Sequence, residues 1–229
     1  MLKFTPILLA VIYGLVLYFF SIKRLGKELD QSSTLLQDPI LDQHCQAMAD
    51  ALDIERIQVF IHEVEPINGL AAPDGRIFIT RGFMRKYREG LVSSEELASV
   101  IAHELGHIAL GHSRRRMIDF SAQNAIRATL SIILGRLIPF VGIYIANMLT
   151  TLLAARLSRA DEYEADAYAA ALLERTGIGT APQIALFEKL GRLTGQTGQP
   201  LAWLMSHPKT EDRIEAIKRL DTDWAENSP

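Results

Sequence analysis

The sequence predicts a mainly α chain with one small antiparallel β-sheet, an α+β domain behind an N-terminal transmembrane helix. Three observations predict it. An unbroken apolar run from Phe4 to Ile22 opens the chain, period-two alternation is confined to residues 57–80, and helix signals recur from Ser93 onward. At 229 residues, one domain plus a short extension is the natural count. The expected boundaries are an anchor at 1–22, a linker or juxtamembrane helix at 23–37, and a domain at 38–229.

Phe4–Ile22 contains only apolar and small residues, with one threonine and one proline. About 20 such residues cross the hydrocarbon core of a bilayer. Its bulky end, Tyr18-Phe19-Phe20-Ser21-Ile22, lacks a small-residue cleavage pattern, so it reads as a retained single-pass anchor; a cleaved signal peptide is the alternative. Lys23, Arg24 and Lys27 follow the run, and the positive-inside tendency leans the domain to the cytoplasmic side.

Asp38-Pro39 marks the start of a helix running through Leu52. Ile57–His62 alternates as a strand, and Gly69–Ala72 with Arg76–Thr80 form a hairpin about Pro73-Asp74-Gly75. Ser93 and Glu96 make a capping box for a helix with the apolar stripe Leu97, Val100, Ile101, Leu105, Ile108 and Ala109. Ala128–Ala155 is apolar, bounded by Arg127 and Arg156 and interrupted by Arg136 and Asn147, with Pro139 and Gly142 as a break between two helices. Pro182–Leu193 is amphipathic, with Pro182 suited to a first helical position. Thr194–Pro200 reads as a loop, and a helix from Thr210 to Leu220 closes the domain.

The chemistry is concentrated at His103-Glu104-Leu105-Gly106-His107, an H-E-x-x-H pattern within the helix opened by Ser93. Four residues advance a helix by just over one turn, so both imidazoles leave one face and can share a metal ion, with zinc the leading candidate. Glu104 lies beside them as a general base for water. A buried carboxylate on this apolar helix is costly unless a cation compensates it. An accidental pair of histidines is the alternative.

Catalytic zinc takes three protein ligands and keeps an open position. His112 lies five residues beyond His107, roughly 140° round the helix, and joins that site only if the helix breaks. The metzincin pattern fails at Leu110 and Ser113, and Cys45, the only cysteine, has no adjacent signature. Residues 158–168 carry Asp161, Glu162, Glu164 and Asp166; Glu162 and Asp166 share a helical face. By themselves these acids also suit a solvated surface.

Taken together, H-E-L-G-H-I and the later S-R-x-x-E-Y-x-A-D resemble the membrane-associated zinc peptidases of the HtpX and CAAX prenyl protease group. Asn68-Gly69-Leu70-Ala71-Ala72-Pro73-Asp74-Gly75-Arg76-Ile77 is similar to that group's N-A-x-A-x-P-x-G-x-I segment, with Gly69 where alanine is frequent. His207-Pro208 with Arg213 is similar to its H-P-x-x-x-x-R signature. The resemblance runs from Asn68 to Ile214. It implies a zincin-like domain of gluzincin type, with Glu162 as third ligand and Asp166 orienting a ligating histidine from behind.

The resemblance therefore implies a membrane-anchored metalloendopeptidase with one Zn2+ per chain, held by His103, His107 and Glu162, with Glu104 as base. Asn68, Gly69, Leu70, Ala71 and Ala72 form the expected substrate edge strand. His207 is expected to aid the oxyanion or gate the metal, with Arg213 positioning its loop; structural roles are the alternative for both. Polypeptides are the expected substrates, misfolded or membrane proteins among them, in protein quality control. The competing reading is a membrane-tethered chaperone-like or latent peptidase with structural zinc, closed by His207 as fourth ligand.

A lipid bilayer is the other expected partner. If Glu162 shares a metal with His103, residues 128–155 cannot cross the bilayer once, and two crossings need roughly 40 apolar residues. They are expected to pack as buried helices near the site or to dip into the interface. Arg114-Arg115-Arg116 suits anionic head groups or a solvated turn equally. The net charge of −3 without a basic stripe argues against nucleic acid.

Overall fold

The computed structural model describes residues 5–115, 142–195 and 210–227, with 126, 127, 130, 131, 134, 138 and 207 besides. The expected break at Pro139, Arg116, Pro208 and most of the 194–200 loop lie outside the described residues.

Helix α1 runs from Thr5 to Gln31, 27 residues, and leads into a short strand, β1 (Ser33–Leu35). Helix α2 (Pro39–Ala51) starts where the sequence indicated: Asp38 accepts hydrogen bonds from the Ile40 and Leu41 amides, and Pro39 occupies a position needing no donor. Leu41, Cys45 and Met48 repeat at helical spacing and are buried. Strands β2 (Val59–His62), β3 (Gly69–Ala71) and β4 (Ile77–Thr80) complete the sheet, whose spatial order is β1-β2-β4-β3.

The sheet is mixed, which corrects the expected antiparallel one. β1 pairs with β2 and β3 with β4 antiparallel, but β2 and β4 run parallel, Val59 opposite Ile77 and His62 opposite Thr80. Burial explains the arrangement. Every residue of β4 is buried, so it takes an inner position between β2 and β3. The short, small-residue β3 is left at the edge. Side chains of β4 alternate faces: Ile77 and Ile79 join the main core, while Phe78 packs with Leu29 and Ala72. The C-terminal part of α1 thus covers one face of the sheet. The rest of the domain covers the other.

Thr80 caps α3 (Arg81–Arg88), a short helix that the sequence reading did not anticipate. The next helix, α4 (Ser94–Ala109), is the centre of the molecule. Its capping box is formed on both sides, Glu96 N–H donating to Ser93 Oγ at 3.2 Å and Ser93 N–H to Glu96 Oε2 at 2.9 Å. Every residue from Glu96 to His107 is buried, which is unusual for a stretch carrying two histidines and two glutamates.

Helix α5 (Gly142–Arg175) crosses α4 closely. A Cβ at Gly106 would lie 3.0 Å from Ala165 Cα, so the glycine in the pentapeptide sets the approach of the two helices. Helices α6 (Ala181–Gly195) and α7 (Thr210–Asn227) pack beside this pair, burying Leu186, Leu190 and Ile217. Pro182 occupies the second position of α6 rather than the first. Among the described residues, no helix is long and apolar enough to cross a membrane. The side chains of α1 through Val11 lie outside the described ones, and beyond them Ile12, Tyr13, Leu15, Val16, Phe19 and Phe20 are exposed.

Candidate metal centre

One turn of α4 presents His103 and His107 from the same face, and their Nε2 atoms approach to 3.1 Å. Glu162, on the second half of α5, meets them from the crossing helix: Oε2 lies 3.4 Å from His103 Nε2 and Oε1 lies 3.5 Å from His107 Nε2. His207, between α6 and α7, brings Nδ1 to 2.6 Å from Glu162 Oε2 and 3.3 Å from His103 Nε2. These four residues are all buried, and their ligand atoms lie within 4.8 Å of one another.

The donor set fits a metal ion. Tetrahedral ligands about 2.0–2.1 Å from zinc stand roughly 3.3–3.4 Å from one another, which is how the Nε2 and carboxylate atoms of His103, His107 and Glu162 are spaced. Facing imidazole lone pairs repel each other without a cation between them. A further sign comes from Glu104, 1% exposed, whose Oε1 has no hydrogen-bond partner among the described residues. A buried carboxylate oxygen left open is costly unless a ligand or water completes it. It lies 3.6 Å from His207 Nε2.

Asp166 stands one helical turn beyond Glu162, behind His103, with Oδ1 2.9 Å from His103 Nδ1. Arg213, in the first turn of α7, grips the same carboxylate twice, Nε to Oδ2 at 2.5 Å and Nη2 to Oδ1 at 2.7 Å. Its guanidinium also lies over the Phe187 ring, 4.6 Å from the centroid, and donates to the His207 carbonyl at 3.4 Å. Arg213 thereby holds the His207 segment as well as Asp166.

Charge in this centre is mutually fixed. Burial disfavours ionised Glu162 and Asp166, yet both are held below the usual carboxylate range. His103 and His207 do this for Glu162, and Arg213 leads for Asp166. Burial likewise opposes a charged His103, but its hydrogen bonds to Asp166 and Glu162 push it up to about 9. Such carboxylates are arranged to hold positive charge.

Beside the centre, a cleft of about 200 Å³ runs between β3 and α4, with Leu70 and Ala71 on one wall and Glu104 and His107 on the other. Asn68, Gly69, His207 and Pro73 also line it, so most of the expected edge segment borders the site; Ala72 packs against Phe78 instead. Leu25 of α1 and Ser113 contribute as well, neither of them an expected site residue.

His112 was expected to point away from His107, and the structure revises this. Helix α4 ends at Ala109, Gly111 adopts φ +71°, and the chain turns so that His112 returns, fully buried, against His107. Glycine just past a helix was the available signal. His112 does not join the donor set; its Nδ1 lies 3.0 Å from His107 Nδ1, behind the ring.

A glutamate and two histidines on one helix, closed by a glutamate from another, define a metallohydrolase site of the H-E-x-x-H class. The sequence model of Peptidase family M48 matches residues 35–221, and the chain belongs to that family. It is thus a metallopeptidase, a hydrolase acting on peptide bonds. The chain is 27% identical over 178 residues to metalloprotease LoiP of Escherichia coli K12, covering 77% of this chain and 68% of LoiP. It is 25% identical over 216 residues to protease HtpX of Pasteurella multocida, covering 77% and 71%. It is also 28% identical over 203 residues to the beta-barrel assembly-enhancing protease of Escherichia coli O157:H7, but spans only 40% of that protein.

Proposed function

We propose that this chain is a zinc endopeptidase in which His103, His107 and Glu162 hold one zinc ion and Glu104 is the general base. The convergence of those donors with the open Oε1 of buried Glu104 carries the reading. Zinc there supplies Lewis acidity for a scissile carbonyl and lowers the pKa of water. Glu104 takes the proton of the attacking water and later delivers it to the leaving amine. The peptide backbone lies along β3 as an added strand, which sets the scissile bond over Glu104. His207 Nε2 faces Glu104 and donates to the oxyanion, while Arg213 and Asp166 keep His207 and His103 in place.

The substrates we assign are polypeptides in quality control, misfolded or membrane proteins among them; one relative is named for enhancing β-barrel assembly. The first half of α1 serves as a membrane anchor, supported by the apolar run Phe4–Ile22 and its exposed Tyr13, Phe19 and Phe20. The lysines and arginine after the run lean the domain to the cytoplasmic side. A second reading, latency, draws on His207: its Nδ1, 3.3 Å from His103 Nε2, would close the donor set at four.

Digestion of an unfolded test protein, with and without a zinc chelator, tests the proposal. Cleavage that the chelator abolishes and zinc restores is the expected result. Cleavage indifferent to chelator would remove zinc from the mechanism, and absence of cleavage by the zinc-loaded chain would favour latency.

A further inference from the structure

The two histidines of α4 are supported from behind in different ways. His103 has a carboxylate directly behind it, Asp166 Oδ1 at 2.9 Å from Nδ1. Behind His107, Nδ1 meets the imidazole of His112, 3.0 Å away. On the far side of His112, Nε2 lies 3.0 Å from Glu164 Oε2 and 3.9 Å from Asp161 Oδ1. Asp161 is itself paired with Arg115. Neither Asp161 nor Glu164 shares the helical face of Glu162 and Asp166. The fold brings both to one buried histidine.

Hydrogen-bond counting decides the tautomers. Two Nδ1 atoms at 3.0 Å need one donor and one acceptor. A carboxylate only accepts when ionised, so the Nε2 of His112 facing Glu164 carries a proton. Neutral His112 then has a bare Nδ1, which accepts from the Nδ1–H of His107. That leaves the lone pair of His107 on Nε2, the atom that faces His103 and Glu162. The opposite assignment would put the proton on His107 Nε2 and block its use as a metal ligand.

We infer that His112 is a positioning residue: with Glu164 and Asp161 behind it, it fixes His107 in the tautomer and ring orientation that present Nε2 to the metal. It does for His107 what Asp166 does for His103, with an imidazole inserted between ring and carboxylate. The Gly111 turn is what makes the arrangement possible, since a continued helix would carry His112 to another face. The inference rests on the zinc-site reading proposed above.

His112, Asp161 and Glu164 are also close enough to hold a cation themselves. Two features oppose that use. The Arg115 guanidinium already lies on the Asp161 carboxylate, and a cation on His112 Nε2 would leave the proton on Nδ1, which would then donate to His107 and shift that ring's proton to Nε2.

Zinc affinity of the full chain, measured by chelator competition, and the visible spectrum of the cobalt-loaded chain test the inference without using turnover. His112→Phe keeps a ring but removes the acceptor, and should weaken zinc binding about 10–100-fold, the usual effect of losing such a partner. It should also shift the cobalt bands. His112→Asn places an amide oxygen near the lost Nδ1 and should restore both readouts to within a few-fold of the parent. Should His112→Phe fail to fold, the pair Asp161→Ala and Glu164→Ala removes the tautomer bias instead and should weaken zinc binding in the same direction. Parent-like affinity and spectrum in these variants would overturn the inference. So would two bound metals per parent chain falling to one when Asp161 and Glu164 are replaced, because the cluster would then be a metal site. A parent chain that binds no zinc at all would instead defeat the zinc-site reading.

Discussion

Helix α5 contains two opposite arrangements on one continuous rod. Its first half turns Tyr144, Met148 and Leu149 outward, with Tyr144 74% exposed. Its second half turns Asp161, Glu162 and Asp166 inward, each at most 5% exposed, among Ala165, Ala169 and Leu173. A soluble helix normally does the reverse in both places. The inverted halves have different explanations. Carboxylates are buried in the second half because His103, His207 and Arg213 supply compensating partners. Apolar groups are exposed in the first half with no such compensation inside the described chain, which is the signature of a surface that meets lipid or another protein. The expectation that 128–155 packs as buried helices therefore fails at Tyr144, Met148 and Leu149. The alternative of a shallow dip into the interface would leave such groups exposed.

Substitutions around α5 test this contrast. The largest effect belongs to Glu162→Ala, which removes a donor from the centre; zinc content should fall well below one per chain and hydrolysis to background, read by metal analysis and peptide digestion. Normal metal content would exclude Glu162 as a ligand. Next comes Arg213→Met. It leaves Asp166 buried without its cation, at a cost of about 3–5 kcal/mol in unfolding free energy. A change below about 1 kcal/mol would mean that the pair is not the support described.

The same pair sets an acid limit. Asp166 is held below its ordinary 3.8, so its contribution to stability is present in full above that value and is lost as pH falls through the lower folded value. Urea midpoints measured in this range should drop in the parent chain and flatten in Arg213→Met. A smaller effect, about 1–3 kcal/mol, is expected for Gly106→Ala, where the added Cβ presses on Ala165 and spreads α4 from α5. Replacing Tyr144 and Met148 by serine should cost the least, within about 0.5 kcal/mol each, while reducing recovery with lipid vesicles. Strong destabilisation there would show that the first half of α5 is packed after all.

The sequence displayed the site more fully than the sheet. Ser93 and Glu96 fixed the start of α4, Asp38-Pro39 that of α2, and Pro73-Asp74-Gly75 the β3–β4 hairpin, because each depends on a local hydrogen bond or dihedral. Parallel pairing of β2 with β4 depends on which strand is buried on both faces, a property of the whole core and not of residues 57–80 alone. Spacing put His103 and His107 on one face, whereas Glu162 entered through resemblance, since a fifty-residue separation carries no geometric information by itself. The helical period misplaced His112 because it was continued through Gly111, where the chain changes direction. Asp161 and Glu164 were hidden for the same reason: their partner was assigned to the wrong face.

The central claim is that the buried, open carboxylate of Glu104 is the base of a zinc peptidase. Glu104→Gln preserves shape and the donor set but cannot take a proton, so one comparison tests it: zinc content and hydrolysis rate of this variant beside the parent chain. The account predicts one zinc per chain in both and a rate lower by about 10²–10⁴-fold in the variant. Parent-like hydrolysis by zinc-loaded Glu104→Gln would contradict it.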